Sequence, residues 1–256
     1  MADAEEIRGA IFETIDSLSV HWSGTTRWRR PLLDFVSADD PRFAKLGGRS
    51  GAPHALPQDF LGNAGSVASF FLPFDEKIVA SNAESRAEVS REWGVAYLET
   101  NALIARIGEH VTEVLHAMGV EAVAQPAVGE FDRESLTSPW SHKSVALIAG
   151  LGTRGIHNMV ITDSGCAGRF GSLVLDADVA PEPVAQKERC KHYTSGACLE
   201  CVELCPVGAL KPDGSLDRQL CWSQCKSVAK GFTVLGLAYV CGKCATGPCA
   251  LSPGDQ

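Results

Sequence analysis

Apolar residues recur at helical spacing from Asp3 to Val20, where Ile7, Ala10, Ile11, Ile15 and Leu18 share one face. Residues 24–66 are rich in Gly, Pro and Asp and predict loop with short helical turns. Ser66–Pro73 (SVASFFLP) is an apolar run ended by proline and predicts a buried strand. Helical periodicity returns from Ala83 to Met118 as one long or broken helix, with Ala87, Trp93, Tyr97, Ile104, Ile107, Val111, Val114 and Leu115 on its apolar face and Gly119 as its stop. VEAVAQP predicts a strand closed by Pro126, and Ser141–Gly150 a helix capped by Ser141. Asn158–Asp163 and Phe170–Asp176 predict a strand pair around the turn SGCAGR. This mixture over residues 1–180 predicts an α+β or α/β domain. The proline-bearing link DVAPEPVAQ, residues 178–186, predicts a boundary with a second domain over residues 187–256.

Composition narrows the class without naming a function. At 256 residues, with 45% hydrophobic and 21% charged positions, the chain can bury a core as one or two domains. No window approaches the length of a membrane span, so no membrane partner is expected. The N-terminus is acidic and amphipathic, unlike an export signal, and predicts a cytoplasmic protein. A net charge of -8 argues against gripping nucleic-acid phosphates. The acidic excess lies in the first 186 residues, while the cysteine-rich segment is mildly basic. The one concentrated basic run, Arg27, Trp28, Arg29 and Arg30, is either a solvated turn before Pro31 or an anion site.

The chemistry concentrates in the cysteines. Cys190, Cys198, Cys201 and Cys205, the last followed by Pro206, precede Cys221 and Cys225 and then Cys241, Cys244 and Cys249. Two-cluster ferredoxins use a CxxCxxCxxxCP run whose fourth cysteine ligates the other cluster. Here Ser195 holds the first position and Cys190 lies five residues upstream, so the loop is longer but a thiolate is present. The crossover rule assigns one [4Fe–4S] cluster to Cys190, Cys198, Cys201 and Cys249 and another to Cys205, Cys221, Cys241 and Cys244. Cys225 competes with Cys221. Zinc accepts the same thiolates, and disulfides are the third alternative; the CP junction and the crossing ligand order favour cubanes.

The segment GLGTRGIHNMVITDSGCAGRFGSLVLDADV, followed by the cysteine repeat, resembles the epoxyqueuosine reductase-like iron–sulfur proteins, relatives of the reductive dehalogenases. The resemblance spans roughly residues 66–250 and rests on Gly150, Gly152, Gly155, Asn158, Gly171, Asp176 and the eight ordered cysteines, with FLPF at 71–74 as the first family strand. It implies a nitroreductase-like α+β domain joined to a two-cluster ferredoxin-like domain. It also implies a base-off cobalamin reduced by the nearer cubane, with flavin as the alternative cofactor. The implied partners are an external electron donor and a small-molecule substrate or corrinoid. The chain departs from the family in three places. Leu136 stands where those proteins carry the Asp treated as proton donor, Ile156 and His157 replace the Lys of GLGxxGKN, and no helical-repeat extension used for tRNA follows Cys249.

On that resemblance the cofactor cleft is expected between the GLGTRGIHN turn and the DSGCAGRFGS connection. Gly152, Gly155, Gly168 and Gly171 would let backbone approach a macrocycle, Arg169 would meet a propionamide or phosphate, and His157 and Asn158 would face the ring. His142 and Lys143 either line the pocket or form a solvated first helical turn. Glu130, Asp132 and Glu134 are candidate substitutes for the missing proton donor, or simply an acidic loop. Cys166 lies away from the cysteine repeat in sequence, as a small core residue or a reactive thiol.

Overall fold

The computed structural model describes residues 2–48, 54–129, 131–182, 187–233, 236 and 238–253. Helix α1 (Ala4–Val20) begins at a reciprocal cap: the Asp3 carboxylate accepts the Glu6 backbone N–H at 2.8 Å, and the Glu6 carboxylate accepts the Asp3 N–H at 3.0 Å. Its Ile7, Ile11 and Ile15 are buried against α4 (Arg91–Ala117), which presents Leu103, Ile104, Ile107, Val111 and Leu115 to the same core. The long periodic stretch is thus broken. Helix α3 (Glu76–Ala83) precedes it, and α4 restarts where the Ser90 hydroxyl accepts the Trp93 N–H at 3.1 Å.

Four antiparallel strands form the central sheet in the order β1 (Leu32–Ser37), β2 (Ser66–Pro73), β6 (Gly168–Leu175), β3 (Ala122–Ala124). Both faces of β2 are covered, which is why SVASFFLP lacks polar alternation. Ala68, Phe70 and Leu72 face the core shared with α1 and α4. Val67 packs with Trp140, Val145 and Ile148 on the opposite face, beside α5 (His142–Ile148), whose Ser141 cap is the predicted one. Register places Phe71 opposite Phe170, and the two rings stack at 4.4 Å.

Two expectations are corrected. Residues 24–66 contain a strand as well as loop and the short helix α2 (Pro57–Phe60): LLDFVS becomes β1 because its register with β2 puts Phe35 in one core and Val36 in the other. The segments 158–163 and 170–176 do not pair with each other. Strand β5 (Val160–Thr162) pairs with β4 (Gly152–Arg154), whereas β6 joins the main sheet between β2 and β3. Each finds its partner among non-neighbouring residues, which local patterning does not encode.

The cysteine-rich part carries α6 (Lys191–Ser195), α7 (Glu200–Glu203), α8 (Arg218–Gly231) and a short 3-10 turn over Lys243–Ala245. It shares a core with the first part: Phe74, Trp93, Ile156, Ile161 and Cys166 pack with Cys190, Cys201, Leu210, Ala245 and Ala250. The link at 178–186 is described only to residue 182; that half is held by Val179 in the main core and by the Glu182 N–H, which donates to Asp34 at 3.0 Å. Its remainder lies outside the described residues.

Ile107 sits fully buried at the centre of the α1–α4–sheet core. Ile107→Ala is expected to cost about 2–5 kcal/mol through lost transfer free energy and the cavity left behind. A urea melt measures it; a loss below about 1 kcal/mol would show that this core is not the one holding the helices to the sheet.

Candidate metal centres

A backbone clasp brings Cys249 to the centre of the fold. After β5, Gly165 turns at φ +77°, in the region favouring glycine, and a Cβ there would meet the Ala250 carbonyl oxygen at 2.3 Å. The close approach lets the Cys166 N–H donate to the Cys249 carbonyl at 2.9 Å and the Ala167 N–H to Ala250 at 3.0 Å. Arg29 locks the clasp, donating to the carbonyls of Ser164 (2.6 Å), Leu251 (2.8 Å) and Phe74 (3.0 Å). Within the basic run at 27–30, Arg27 and Arg30 are exposed as a solvated turn would have them, while Arg29 is committed to the clasp. Trp28 donates to Thr100 at 2.9 Å, Arg27 bonds carbonyls of its own loop, and Arg30 lies over Phe12.

Cys190, Cys198, Cys201 and Cys249 line one pocket, floored by Ile156, His157 and Ile161. Cys190 reaches it because its N–H donates to Glu188 at 2.8 Å, Thr153 of β4 donates to the same carboxylate at 3.1 Å, and Arg189 grips Asp163 beyond β5 at 2.8 Å. Cys201 comes from α7. Burial pushes the Cys201 thiol up to about 12, and the charges of Cys249, Cys198 and Cys190 add to the shift. These four sulfurs thus share one electrostatic neighbourhood.

A second group gathers around Cys244. Burial raises the Cys244 thiol, and the nearby charges of Cys241, Cys221, Cys201 and Cys205 contribute. Cys221 and Cys225, one helical turn apart on α8, are hydrogen-bonded to each other; that bond lowers Cys221 to about 7 and raises Cys225. Cys225 also lies near Cys241 and Cys244, so both thiols stand beside this group. The loop carrying Cys241 and Cys244 is anchored by Lys243 between them. Its ammonium is buried and donates to the Asn82 carbonyl (2.5 Å), the Asn82 side chain (2.9 Å) and the Glu88 carbonyl (2.6 Å), while Asn82 donates to the Cys241 carbonyl at 3.2 Å. Nothing in CGKC marks its lysine as buried; only the fold supplies the three acceptors.

The expected cofactor residues take more varied places. The glycines are accounted for by packing within the chain. A Cβ at Gly152 would strike the Ile161 carbonyl at 2.2 Å, at Gly155 the His157 ring at 2.6 Å, at Gly168 the Leu72 carbonyl at 2.4 Å and at Gly171 the Phe70 ring at 2.2 Å. Approach to a macrocycle is not needed to explain them. Asn158 takes φ +62° and closes a turn by donating its N–H to Gly155 at 2.9 Å. His157 is buried against Cys249, and Cys166, distant in sequence, lies 3.9 Å from the Cys249 sulfur.

Arg169 and Lys143 do face common ground. Arg169 stacks over the Tyr97 ring at 4.5 Å, and its Nε is a buried donor without a partner. Burial lowers the Lys143 pKa, with Arg154 and Arg169 adding to the fall, while Cys244 and Cys221 oppose it. Lys143 keeps exposed side-chain surface and lies near Cys221 and Cys244 of the second cysteine group. The loop at 131–137 packs on α8 here, with Phe131 against Trp222 at 5.3 Å and Gln219 donating to the Glu134 carbonyl at 3.1 Å. In that loop Leu136 takes φ +55°, and the Asp132 carboxylate is occupied by Glu134 and Ser135, so it braces the turn. Glu130 lies outside the described residues.

No protein-family model matches the chain. Among curated proteins it is 24% identical over 171 residues to the epoxyqueuosine reductase of Bacillus anthracis, covering 64% of this chain and 41% of that protein. It is 31% identical over 110 residues to the epoxyqueuosine reductase of Lactococcus garvieae, covering 42% of this chain and 28% of that one. The chain is similar to the epoxyqueuosine reductases. The matched regions span less than half of those relatives. Among solved structures, an epoxyqueuosine reductase with an epoxyqueuosine-modified tRNA stem loop superposes with a TM-score of 0.63 at 20% identity, over 99% of this chain and 68% of that one. A catabolic reductive dehalogenase gives 0.56 at 14% identity, over 93% and 32%. At these identities the likeness is one of fold. No helix among the described residues is long and apolar enough to cross a membrane.

His142, at the start of α5, is half-buried and held by hydrogen bonds, unlike a freely solvated first turn. Trp140 donates to the Ser172 hydroxyl at 2.9 Å, which leaves that hydroxyl to donate to His142 Nδ1 at 2.9 Å, and Nε2–H donates to the Pro126 carbonyl at 3.0 Å. Burial lowers its pKa to about 4; the Pro126 bond opposes this and Arg169 reinforces it. Because the folded value lies below the unfolded one, the unfolded chain binds more protons between the two. His142 therefore contributes stability above pH ~6.5 that is lost as pH falls toward about 4. Urea melts from pH 8 to 4 are expected to show this loss and His142→Gln to flatten it; equal slopes would remove His142 as the cause.

Proposed function

We propose that the chain is an iron–sulfur redox protein passing electrons from an external donor through two [4Fe–4S] clusters to a cofactor or substrate bound by the first part of the chain. One observation carries this reading: Cys190, Cys198, Cys201 and Cys249 line one pocket, with Cys249 brought there from the far end of the cysteine repeat. That agrees with the crossover rule of two ferredoxin cubanes, which would leave Cys205, Cys221, Cys241 and Cys244 for the second cluster. Among the described residues, the one group of three side chains close enough to hold a single ion is His157, Cys166 and Cys249. Mononuclear zinc needs its sulfurs about 3.8 Å apart, so the wider quartets favour cubanes. When bound, the clusters supply one-electron steps over a wide range of potentials. The chain supplies thiolates, the Lys243 anchor and burial.

The neighbourhood of Cys221 and Cys244 suits a cofactor with carbonyl or phosphate groups on its periphery, because Lys143 and the unpartnered Arg169 Nε offer donors there. A corrinoid is the leading candidate and flavin the alternative. These residues orient the group and place it beside the second quartet. The second reading is a non-catalytic corrinoid carrier or electron-transfer partner, favoured by Leu136, which has no proton to give where the similar reductases carry an Asp. The same residue, with the acidic first part, supports a substrate other than tRNA.

Anaerobically reconstituted protein is expected to hold about eight iron and eight sulfide per chain. Cys205→Ala and Cys249→Ala should each lose about half of that iron, and Cys166→Ala should keep it all. Stoichiometric zinc without iron would sink the cluster reading. Cobalamin titration should give a base-off spectrum, weakened in Arg169→Met; silence up to about millimolar cobalamin with flavin binding instead would replace the corrinoid by flavin. Conversion of epoxyqueuosine to queuosine in tRNA would overturn the assignment to a different substrate.

A further inference from the structure

His157 has no counterpart in the Gly-Lys-Asn pattern that the segment otherwise resembles. Its imidazole is buried. The absent side chain of Gly155 makes room for it, since a Cβ there would lie 2.6 Å from the ring. The Met159 backbone N–H donates to Nδ1 at 3.1 Å, so Nδ1 carries the lone pair and the ring proton is left on Nε2. That nitrogen lies 3.3 Å from the Cys249 sulfur. On the same sulfur, the Cys166 thiol sits at 3.9 Å. The backbone clasp at Cys166 and Ala167 keeps the three groups together.

Granted the cluster reading above, we propose that His157 is a positioning residue that donates Nε2–H to the Cys249 ligand and raises the reduction potential of the cluster Cys249 holds. The physical reason is charge. Reduction adds an electron whose density spreads onto the thiolate sulfurs, and a donor aimed at one of them stabilises the more negative state. His157 is itself buried, with Ile156 and Ile161 beside it in the pocket lining, so water competes little and the bond counts for more. Cys166 adds a weaker S–H donor to the same sulfur. Cys205, Cys221, Cys241 and Cys244 have no part in this network, so the effect should be confined to one cluster.

The test is an EPR-monitored redox titration of reconstituted full-length wild type, His157→Leu and His157→Gln, with iron counted in each. In His157→Leu the midpoint of one cluster should fall while the other stays. His157→Gln, which keeps an N–H, should recover most of the fall. Full iron with both midpoints unchanged in His157→Leu, or equal falls in the two variants, overturns the proposal. A second measurement covers a His157→Leu chain that fails to assemble. In wild type labelled with 15N-histidine, pulsed EPR should detect one nitrogen coupled to a reduced cluster, absent in His157→Gln; no coupling in wild type overturns the proposal. Wild type that takes up no iron instead defeats the cluster reading, and the iron count separates the two failures.

Discussion

The arrangement of the molecule depends on the clasp in which Cys166 and Ala167 donate their N–H groups to the carbonyls of Cys249 and Ala250. Residues far apart in sequence meet there at backbone distance, which Gly165 alone permits because any Cβ would collide with Ala250. Arg29 adds charge-assisted bonds to carbonyls on both sides and to the end of β2. The last cysteine is thereby carried away from its CxxC neighbours, Cys241 and Cys244, and delivered to Cys190, Cys198 and Cys201.

Burial then makes the thiol groups chemically demanding. Crowded sulfurs in a low-dielectric interior resist ionisation, as the raised Cys201 and Cys244 show, and a cation that takes the thiolate form relieves that cost. The cations nearby have different duties. Lys243 spends all three donors on holding its loop, whereas Lys143 and Arg169 lie near the second group. The sheet reaches the same region through β6, whose Arg169 lies between Gly168 and Phe170, both packed against β2.

The meeting of Cys249 with Cys190, Cys198 and Cys201 in one pocket was legible from one-dimensional order because ligand chemistry imposes spacing on the chain itself: Cys198, Cys201, Cys205 and Pro206 keep it even where Cys190 has drifted upstream. Helices α1 and α5 were legible for a similar reason, since their caps and apolar faces are local. Strand pairing was not. The segments around SGCAGR read as a hairpin, yet each pairs elsewhere, because register is decided by which buried faces meet across the fold.

By itself, then, the sequence determined the number and order of thiolates, the main helices and the buried strand β2, all of which arise from short-range periodicity and ligand chemistry. Tertiary structure alone decided the rest. It set Cys166 and His157 on Cys249, buried Lys243 within its three acceptors and turned Gly152 and Gly155 to packing against their own chain. The physical reason is that a hydrogen bond or a buried charge depends on partners brought from distant positions, and one residue's identity does not say which partner it will meet.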